Sequence, residues 1–141
     1  MREAASLSFA ELREGQSAVL ERRVDAGDVE AFAKLSGDYS PLHVDEAFAK
    51  TTRFGCRVAH GMVLGSFVST LVGMDLPGRH AVLVSVSLKF RKPVFLGDTV
   101  RVEATVARKV EVSRMIELAV TASNQRGEAV ASGSAKVLVT A

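Results

Sequence analysis

The stretch from Gly61 to Met74 carries no charged side chain, and it constrains the fold of this chain more than any other feature. As a helix rising about 1.5 Å per residue it would be roughly 21 Å long. The hydrocarbon core of a membrane is about 30 Å thick and needs about 20 apolar residues, so this stretch is too short to span it. A helix without charge on any side has to be surrounded by protein. The sequence therefore predicts a buried central helix in a chain that does not cross a membrane.

Four segments after this helix alternate with period two, which is typical of strands with one buried face. In the first of them, Val82, Val84 and Val86 share the face that we expect to be buried. The predicted strands cover residues 81–91, 99–107, 115–121 and 129–139. Turn-forming residues such as Gly97 separate these segments, so the sequence predicts an antiparallel sheet.

The residues before the central helix predict shorter elements. Residues 17–24 have the pattern of a strand, and residues 26–35 have the pattern of a short helix capped by Asp25. Gly37 is expected to end this helix, because glycine adopts positive φ without strain. Residues 44–50 predict another short helical turn. Helices followed by a run of strands indicate an α+β fold, with the long helix lying on a curved sheet.

The composition indicates a single domain over residues 1–141 and argues against several classes of function. The formal net charge is only +2, and lysine and arginine are spread along the chain, so nucleic acid is not an expected partner. The single cysteine, Cys56, cannot form an intrachain disulfide and fits a reducing compartment, so we expect a cytoplasmic protein. With one cysteine and three histidines, no metal site is expected.

Asp38 and His43 place a carboxylate and an imidazole five residues apart, in a segment that is not expected to be regular helix. Pro41 disfavours the helical conformation for the residue before it, and Gly37 stops the preceding helix. We therefore expect Asp38 and His43 to lie on a turn after the first helix, with their side chains converging on one point. A pair of this kind can transfer protons to and from a substrate.

The start of the central helix near Gly61 supplies the second element of a site. The first amides of a helix and the positive end of its dipole favour a developing negative charge. A proton-transfer pair beside such a helix start suits the addition or removal of water next to a carbonyl group.

Taken together, these motifs resemble the MaoC-like family, which contains the R-specific enoyl-CoA hydratases. The resemblance covers roughly residues 15 to 139. The motifs that carry it are Gly37-Asp38-x-x-Pro41-x-His43, Ala59-His60-Gly61-Met62 and Phe90-Arg91-x-Pro93-Val94-x-x-Gly97-Asp98. The resemblance implies a hot-dog fold, in which a long central helix is wrapped by a curved antiparallel β-sheet.

The resemblance also implies an activity and an assembly. The implied activity is the reversible syn addition of water to a trans-2-enoyl-CoA, which gives the (3R)-hydroxyacyl-CoA. Coenzyme A is then part of the substrate, and no metal or redox cofactor is implied. A homodimer or higher oligomer is implied as well, with the acyl thioester site at a subunit interface.

The resemblance implies roles for the residues that match the family's motifs. Asp38 and His43 match the catalytic pair that holds the water, and which of the two is the base stays open. Gly61 matches the residue whose backbone N–H contacts the thioester oxygen, where negative charge builds up in the transition state. Ser40 is a candidate substrate contact and departs from the family, because many of its hydratases have asparagine there. Serine lacks the amide donors of asparagine.

Five residues beside these motifs are further candidates for substrate binding, and each has a structural alternative. Tyr39 follows the catalytic aspartate, and the alternative role is packing. His60 and Met62 flank the expected thioester donor, and the alternatives are a polar helix start and a core contact. Arg91 and Lys92 suit the phosphates of coenzyme A, whereas the alternative is a solvated basic face.

Two other functions remain open from the sequence. One is a (3R)-hydroxyacyl-carrier-protein dehydratase subunit, whose acidic carrier would be attracted to a basic rim around the site. The other is a non-catalytic partner subunit that binds acyl thioesters, for which Ser40 is the only supporting feature. The presence of both Asp38 and His43 favours an enzyme.

Overall fold

A five-stranded antiparallel sheet with the strand order β1-β3-β4-β5-β2 forms one layer of the molecule. The computed structural model describes residues 1–141. Its strands are β1 (Ser17–Arg23), β2 (Ala81–Phe90), β3 (Thr99–Val110), β4 (Met115–Ser123) and β5 (Ala129–Val139). All five predicted strands are confirmed. Two of them extend beyond their predicted limits, because β3 continues to Val110 at the hairpin and β4 continues to Ser123, which pairs with Arg101.

All the helices lie between β1 and β2 in the chain. They are α1 (Ala26–Ser36), α2 (Pro41–Val44), α3 (Glu46–Lys50) and α4 (Met62–Thr70), and α4 continues into a π-helical turn (Leu71–Asp75). Together α4 and the π-helical turn confirm the predicted central helix. None of the helices is long and apolar enough to cross a membrane, and the cytoplasmic location stays a prediction.

The core lies between α4 and the sheet. Apolar side chains of the helix meet the inward faces of β3, β4 and β5, where alternate residues are buried. Burying one such side chain stabilises the fold by about 1.5–3 kcal/mol, so this contact holds α4 in place. Core residues of the two layers include Leu64, Phe67, Val68, Val102, Ile116 and Leu118.

The predicted burial of one face of β2 is wrong for the isolated chain. Val82, Val84 and Val86 are 48%, 55% and 39% exposed, and the neighbouring Leu83 is exposed as well. The physical reason is position, because β2 is an edge strand that pairs only with β5. An exposed apolar edge strand normally requires a partner that covers it.

The N-terminal helix confirms two local predictions. The Asp28 N–H donates to the Asp25 carboxylate at 3.1 Å, and the Asp25 N–H donates to the Asp28 carboxylate at 3.0 Å. These reciprocal bonds form a capping box. At the other end Gly37 has φ 80°, and its N–H donates to the Ala33 carbonyl, which closes the helix.

The prediction of a turn over residues 38–43 is wrong in part. Asp38 lies in a loop, but Pro41 begins the one-turn helix α2, which carries His43. The reason is that proline has no N–H to lose at the first position of a helix and has a suitable φ. The helical turn predicted over 44–50 is divided between two helices, since Val44 ends α2 and Glu46 begins α3. The division falls at Asp45, whose carboxylate accepts from the Phe48 N–H and caps α3.

Candidate active site

The backbone around Asp38 holds its carboxylate at the edge of the site. The left-handed Gly37 turns the chain away from α1, and the Asp38 N–H donates to the Ser36 hydroxyl at 3.1 Å. The Asp38 Oδ1 in turn accepts from the Ser40 N–H at 3.1 Å. One carboxylate oxygen is therefore held by the backbone, and the half-exposed side chain keeps Oδ2 for a ligand.

The His43 imidazole is fixed by a backbone carbonyl. Its Nδ1 lies 2.8 Å from the carbonyl oxygen of Val58, and since a carbonyl only accepts, Nδ1 carries the hydrogen. The neutral ring then has a free lone pair on Nε2, which can take up a proton. The Arg57 Nε donates to the His43 carbonyl at 2.7 Å and ties α2 to the loop before α4.

The sequence singles out His60 but does not predict its buried position or its contacts. The sequence predicts a substrate contact or a polar helix start at this position, but the structure leaves only 3% of His60 exposed. Its ring stacks on His43 with centroids 4.0 Å apart and packs against Phe32 at 4.6 Å. Its Nε2 lies 2.9 Å from the Asp38 carbonyl oxygen. No sequence signal indicates these contacts, because the partners come from three separate elements.

Asp38, His43 and His60 form one cluster. Each offers a ligand atom, and the three atoms lie within 4.8 Å of one another. Two histidines and a carboxylate could also bind a metal ion, but a tetrahedral zinc site uses at least three protein ligands. Because His60 Nε2 is already bonded to a carbonyl, Asp38 and His43 alone keep free ligand atoms facing the cluster. This arrangement suits proton transfer, and the absence of a metal stays a prediction.

The start of α4 is open. Gly61 provides no capping side chain, and its N–H takes part in none of the hydrogen bonds of the chain. The space around it is restricted, since a Cβ atom at this position would lie 3.0 Å from the Phe90 ring. Only glycine lets that aromatic ring approach so closely, and the ring forms one wall beside the free N–H.

A cleft of about 340 Å³ opens beside Gly61. Its lining includes three cations and no carboxylate: Arg53, Arg91 and Lys92. The Arg91 Nε donates to the Ser132 hydroxyl at 2.9 Å, and Lys92 pairs with Glu128 at 2.6 Å. The guanidinium carbon of Arg53 lies 4.9 Å from the centre of the Phe54 ring. Sequence reasoning named the two strand-end cations but missed Arg53, which lies in the loop before α4.

The remaining candidates lie on the surface around the cluster. Tyr39 and Met62 are more than half exposed, so packing in the core of this chain does not account for either. Ser40 is exposed and precedes α2, and its hydroxyl does not cap that helix. In the isolated chain it is the Ser40 backbone, not its side chain, that orients Asp38.

Comparison with known proteins identifies the family. A family model described as a MaoC-like domain matches residues 9–127. The chain belongs to the MaoC-like family. It is 41% identical over 133 residues to the (R)-specific enoyl-CoA hydratase of Rhodospirillum rubrum, a match that covers 94% of this chain and 92% of that protein.

Solved structures of the family confirm the hot-dog fold. The unliganded R-hydratase PhaJ1 from Pseudomonas aeruginosa matches with a TM-score of 0.92 at 35% identity, covering 96% of this chain and 87% of that one. The (R)-hydratase from Aeromonas caviae matches with a TM-score of 0.88 at 41% identity, covering 91% and 97%. The α+β architecture predicted from the sequence is therefore correct.

Proposed function

We propose that the protein catalyses the reversible syn hydration of trans-2-enoyl-CoA to (3R)-hydroxyacyl-CoA, with Asp38 and His43 as the catalytic pair. The observation that carries the proposal is the convergence of these two side chains beside a helix start whose Gly61 N–H is free. The hydro-lyase class itself is confirmed by curated MaoC-like relatives. No cofactor is required beyond the coenzyme A of the substrate.

In this mechanism a water lies between the Asp38 carboxylate and the His43 imidazole. The pair removes a proton from the water as its oxygen bonds to C3, and a proton is delivered to C2 on the same face. Positioned acids and bases of this kind contribute about 10²–10⁴-fold to a rate. In the reverse direction the same groups remove the C2 proton and protonate the departing hydroxyl.

Gly61 acts on the other end of the reacting system. As the water oxygen adds to C3, negative charge moves through C2 to the thioester oxygen. The free Gly61 N–H and the positive end of α4 are suited to stabilise that charge. One donor in such a position contributes about 10²–10³-fold.

The basic cleft supports a phosphate-bearing thioester. Arg53, Arg91 and Lys92 line the same cleft as Gly61, so a substrate with its thioester at Gly61 would run past the three cations. Cationic side chains bind phosphate through charge-assisted hydrogen bonds. We propose that they contact the nucleotide part of coenzyme A. The same rim would also attract an acidic carrier protein, which keeps a carrier-bound substrate as the second candidate.

We further propose a homodimer formed through β2. The exposed valines of this edge strand and the half-exposed Phe90 make an apolar surface that a second copy can cover. Phe90 is also a wall of the cleft beside Gly61, so this interface would be continuous with the site. Size-exclusion chromatography with light scattering should give the mass of a dimer. Val84→Lys should shift that mass toward the monomer, and a wild-type monomer would contradict this assembly.

The function is tested by comparing substrates at equal concentration. The purified protein is assayed with enoyl-CoA thioesters of increasing chain length and with the same acyl groups on an acyl carrier protein. We expect turnover with CoA thioesters, and a Lys92→Gln, Arg53→Gln double variant should raise KM for CoA substrates without lowering kcat. Turnover restricted to carrier-bound substrates would favour the second candidate. Binding without any turnover would indicate a non-catalytic subunit.

A further inference from the structure

His60 is the most buried polar group near the site, and the proposed mechanism does not use it. It directly precedes Gly61 at the start of α4, and its ring packs against Phe32 of α1 and His43 of α2. A histidine buried to this degree normally satisfies both ring nitrogens. Here Nε2 is bonded to the Asp38 carbonyl, whereas Nδ1 is buried and has no hydrogen-bond partner.

These contacts determine which nitrogen carries the hydrogen. The Asp38 carbonyl oxygen only accepts, so Nε2 must donate. A hydrogen on Nδ1 would be a second donor, buried and unpaired, which is costly in free energy. Of the two imidazole tautomers, the arrangement therefore favours the one with its hydrogen on Nε2 and a bare lone pair on Nδ1. His43 is held in the opposite tautomer, since its Nδ1 donates to Val58.

We propose that His60 is a positioning residue, which sets the distance between the Asp38–His43 pair and the thioester donor of Gly61. Its side chain holds the Asp38 carbonyl at 2.9 Å and stacks on His43 at 4.0 Å. Its own peptide group leads directly into Gly61. The inference rests on the proposed function of Asp38, His43 and Gly61, and adds the group that keeps both halves of the site in register.

Two substitutions of His60 separate the contribution of its hydrogen-bond donor from that of its aromatic stacking. His60→Gln places an amide donor within reach of the Asp38 carbonyl but removes the aromatic stack. His60→Phe keeps the stack between Phe32 and His43 but removes the donor. A displacement of about 1 Å at reacting atoms can cost 10²-fold in rate. We therefore expect His60→Phe to lower kcat by about 10–100-fold, whereas His60→Gln should restore most of that loss.

The readout is the division of the effect between kcat and KM. Because His60 does not line the cleft, KM for the CoA substrate should stay close to the wild-type value in both variants. A merely structural role would instead lower the melting temperature and the fraction of active enzyme and leave kcat per active site unchanged. Wild-type kcat in His60→Phe, or equal loss in both folded variants, would overturn the proposal.

A second measurement does not depend on how the variants fold. Long-range ¹H–¹⁵N correlation spectra of the wild-type imidazoles report which nitrogen carries hydrogen. We expect His60 as the Nε2–H tautomer and His43 as the Nδ1–H tautomer. A His60 ring with its hydrogen on Nδ1 would overturn the proposal, because it could not donate to Asp38.

Failure of this inference is distinguishable from failure of the proposed function. Asp38→Asn and His43→Ala are assayed alongside the His60 variants. If these two lose activity while His60→Phe retains it, the catalytic pair stands and the positioning role is wrong. If Asp38→Asn and His43→Ala remain active, the proposed function itself is wrong.

Discussion

Two helices of this molecule begin in opposite ways. At the start of α1, the carboxylates of Asp25 and Asp28 accept from each other's backbone N–H. At the start of α4, Gly61 has no side chain, and its N–H has no partner within the chain. A capping side chain stabilises a helix by about 1 kcal/mol, and α4 does without that stabilisation. An open helix start favours the binding of a group that brings its own acceptor, which is the role we propose for Gly61.

The surroundings of the two helix starts also differ, since side chains close one of them and a cleft opens at the other. The start of α1 is closed further by Arg22, whose guanidinium lies 3.1 Å from the Asp28 carboxylate. The start of α4 faces a cleft and lies next to the cluster of Asp38, His43 and His60. Local rules of helix stability are satisfied at one start and not at the other, and such departures are expected at functional sites.

The largest expected effect concerns the pair beside the open start. Asp38→Asn keeps an oxygen for the Ser40 N–H but removes the negative charge, and His43→Ala removes the imidazole. Each should lower kcat by about 10²–10⁴-fold, the range that general acids and bases contribute. The measurement is the initial rate of crotonyl-CoA hydration. Asp45→Asn, at the cap of α3, is the matched control and should keep wild-type activity.

The next effect comes from closing the open start. Gly61→Pro removes the N–H, and the φ of −56° at this position suits proline. We expect kcat to fall by about 10²–10³-fold, as for the loss of one oxyanion donor. Gly61→Ala is the control, since it also presses on the Phe90 ring but keeps the N–H. Equal losses in both variants would assign the effect to crowding rather than to the missing donor.

Opening the closed start should affect stability instead. Asp25→Ala removes the acceptor for the Asp28 N–H and should lower the free energy of unfolding by about 1 kcal/mol. Activity at 25 °C should be unchanged, because Asp25 is not part of the site. Urea unfolding followed by circular dichroism measures the first quantity and the hydration rate the second. A loss of kcat comparable to that of Gly61→Pro would remove the distinction between the two starts.

The smallest effect concerns the support of the cleft wall and depends on pH. Hydrogen bonds from Lys92, Asn124 and Arg126 lower the pKa of Glu128 to about 2. This pKa is below the ordinary value of 4.5 that the glutamate has in the unfolded chain. The ionised carboxylate therefore stabilises the fold fully at pH values above the unfolded pKa. The stabilisation is lost as the pH falls toward 2. Glu128→Gln should therefore lower the melting temperature at pH 7, and the difference from wild type should shrink between pH 5 and pH 2. A constant difference across this range would contradict the assignment.

Much of the fold could be predicted because it depends on one chain. The strands β3 to β5 and α4 bury their apolar faces against each other. The spacing of their apolar residues therefore predicts both the elements and the faces that are buried. The same pattern failed at β2, since nothing within the chain covers that edge strand. The sequence pattern does not predict α2. Pro41 disfavours the helical conformation for the residue before it, but Pro41 itself is well suited to the first helical position that it occupies in the structure.

The site was predictable only where a short motif carried it. Asp38, His43 and Gly61 lie within recognisable segments. The structure brings Asp38 and His43 together with His60, which directly precedes Gly61 in the chain, and the catalytic roles stay a prediction. His60 belongs to one of these segments too, but its role depends on Phe32, His43 and the Asp38 carbonyl meeting in space. Arg53 stands in a loop without any periodic pattern, so only the coordinates bring it to the cleft.

The most direct test of the central claim is the hydration of crotonyl-CoA by the wild-type protein, followed by chiral analysis of the 3-hydroxybutyryl-CoA formed. We expect turnover and a product that is the (3R) enantiomer, with water added by Asp38 and His43 to the enoyl group of a thioester held at Gly61. Absence of turnover, or a product that is racemic or (3S), would contradict it.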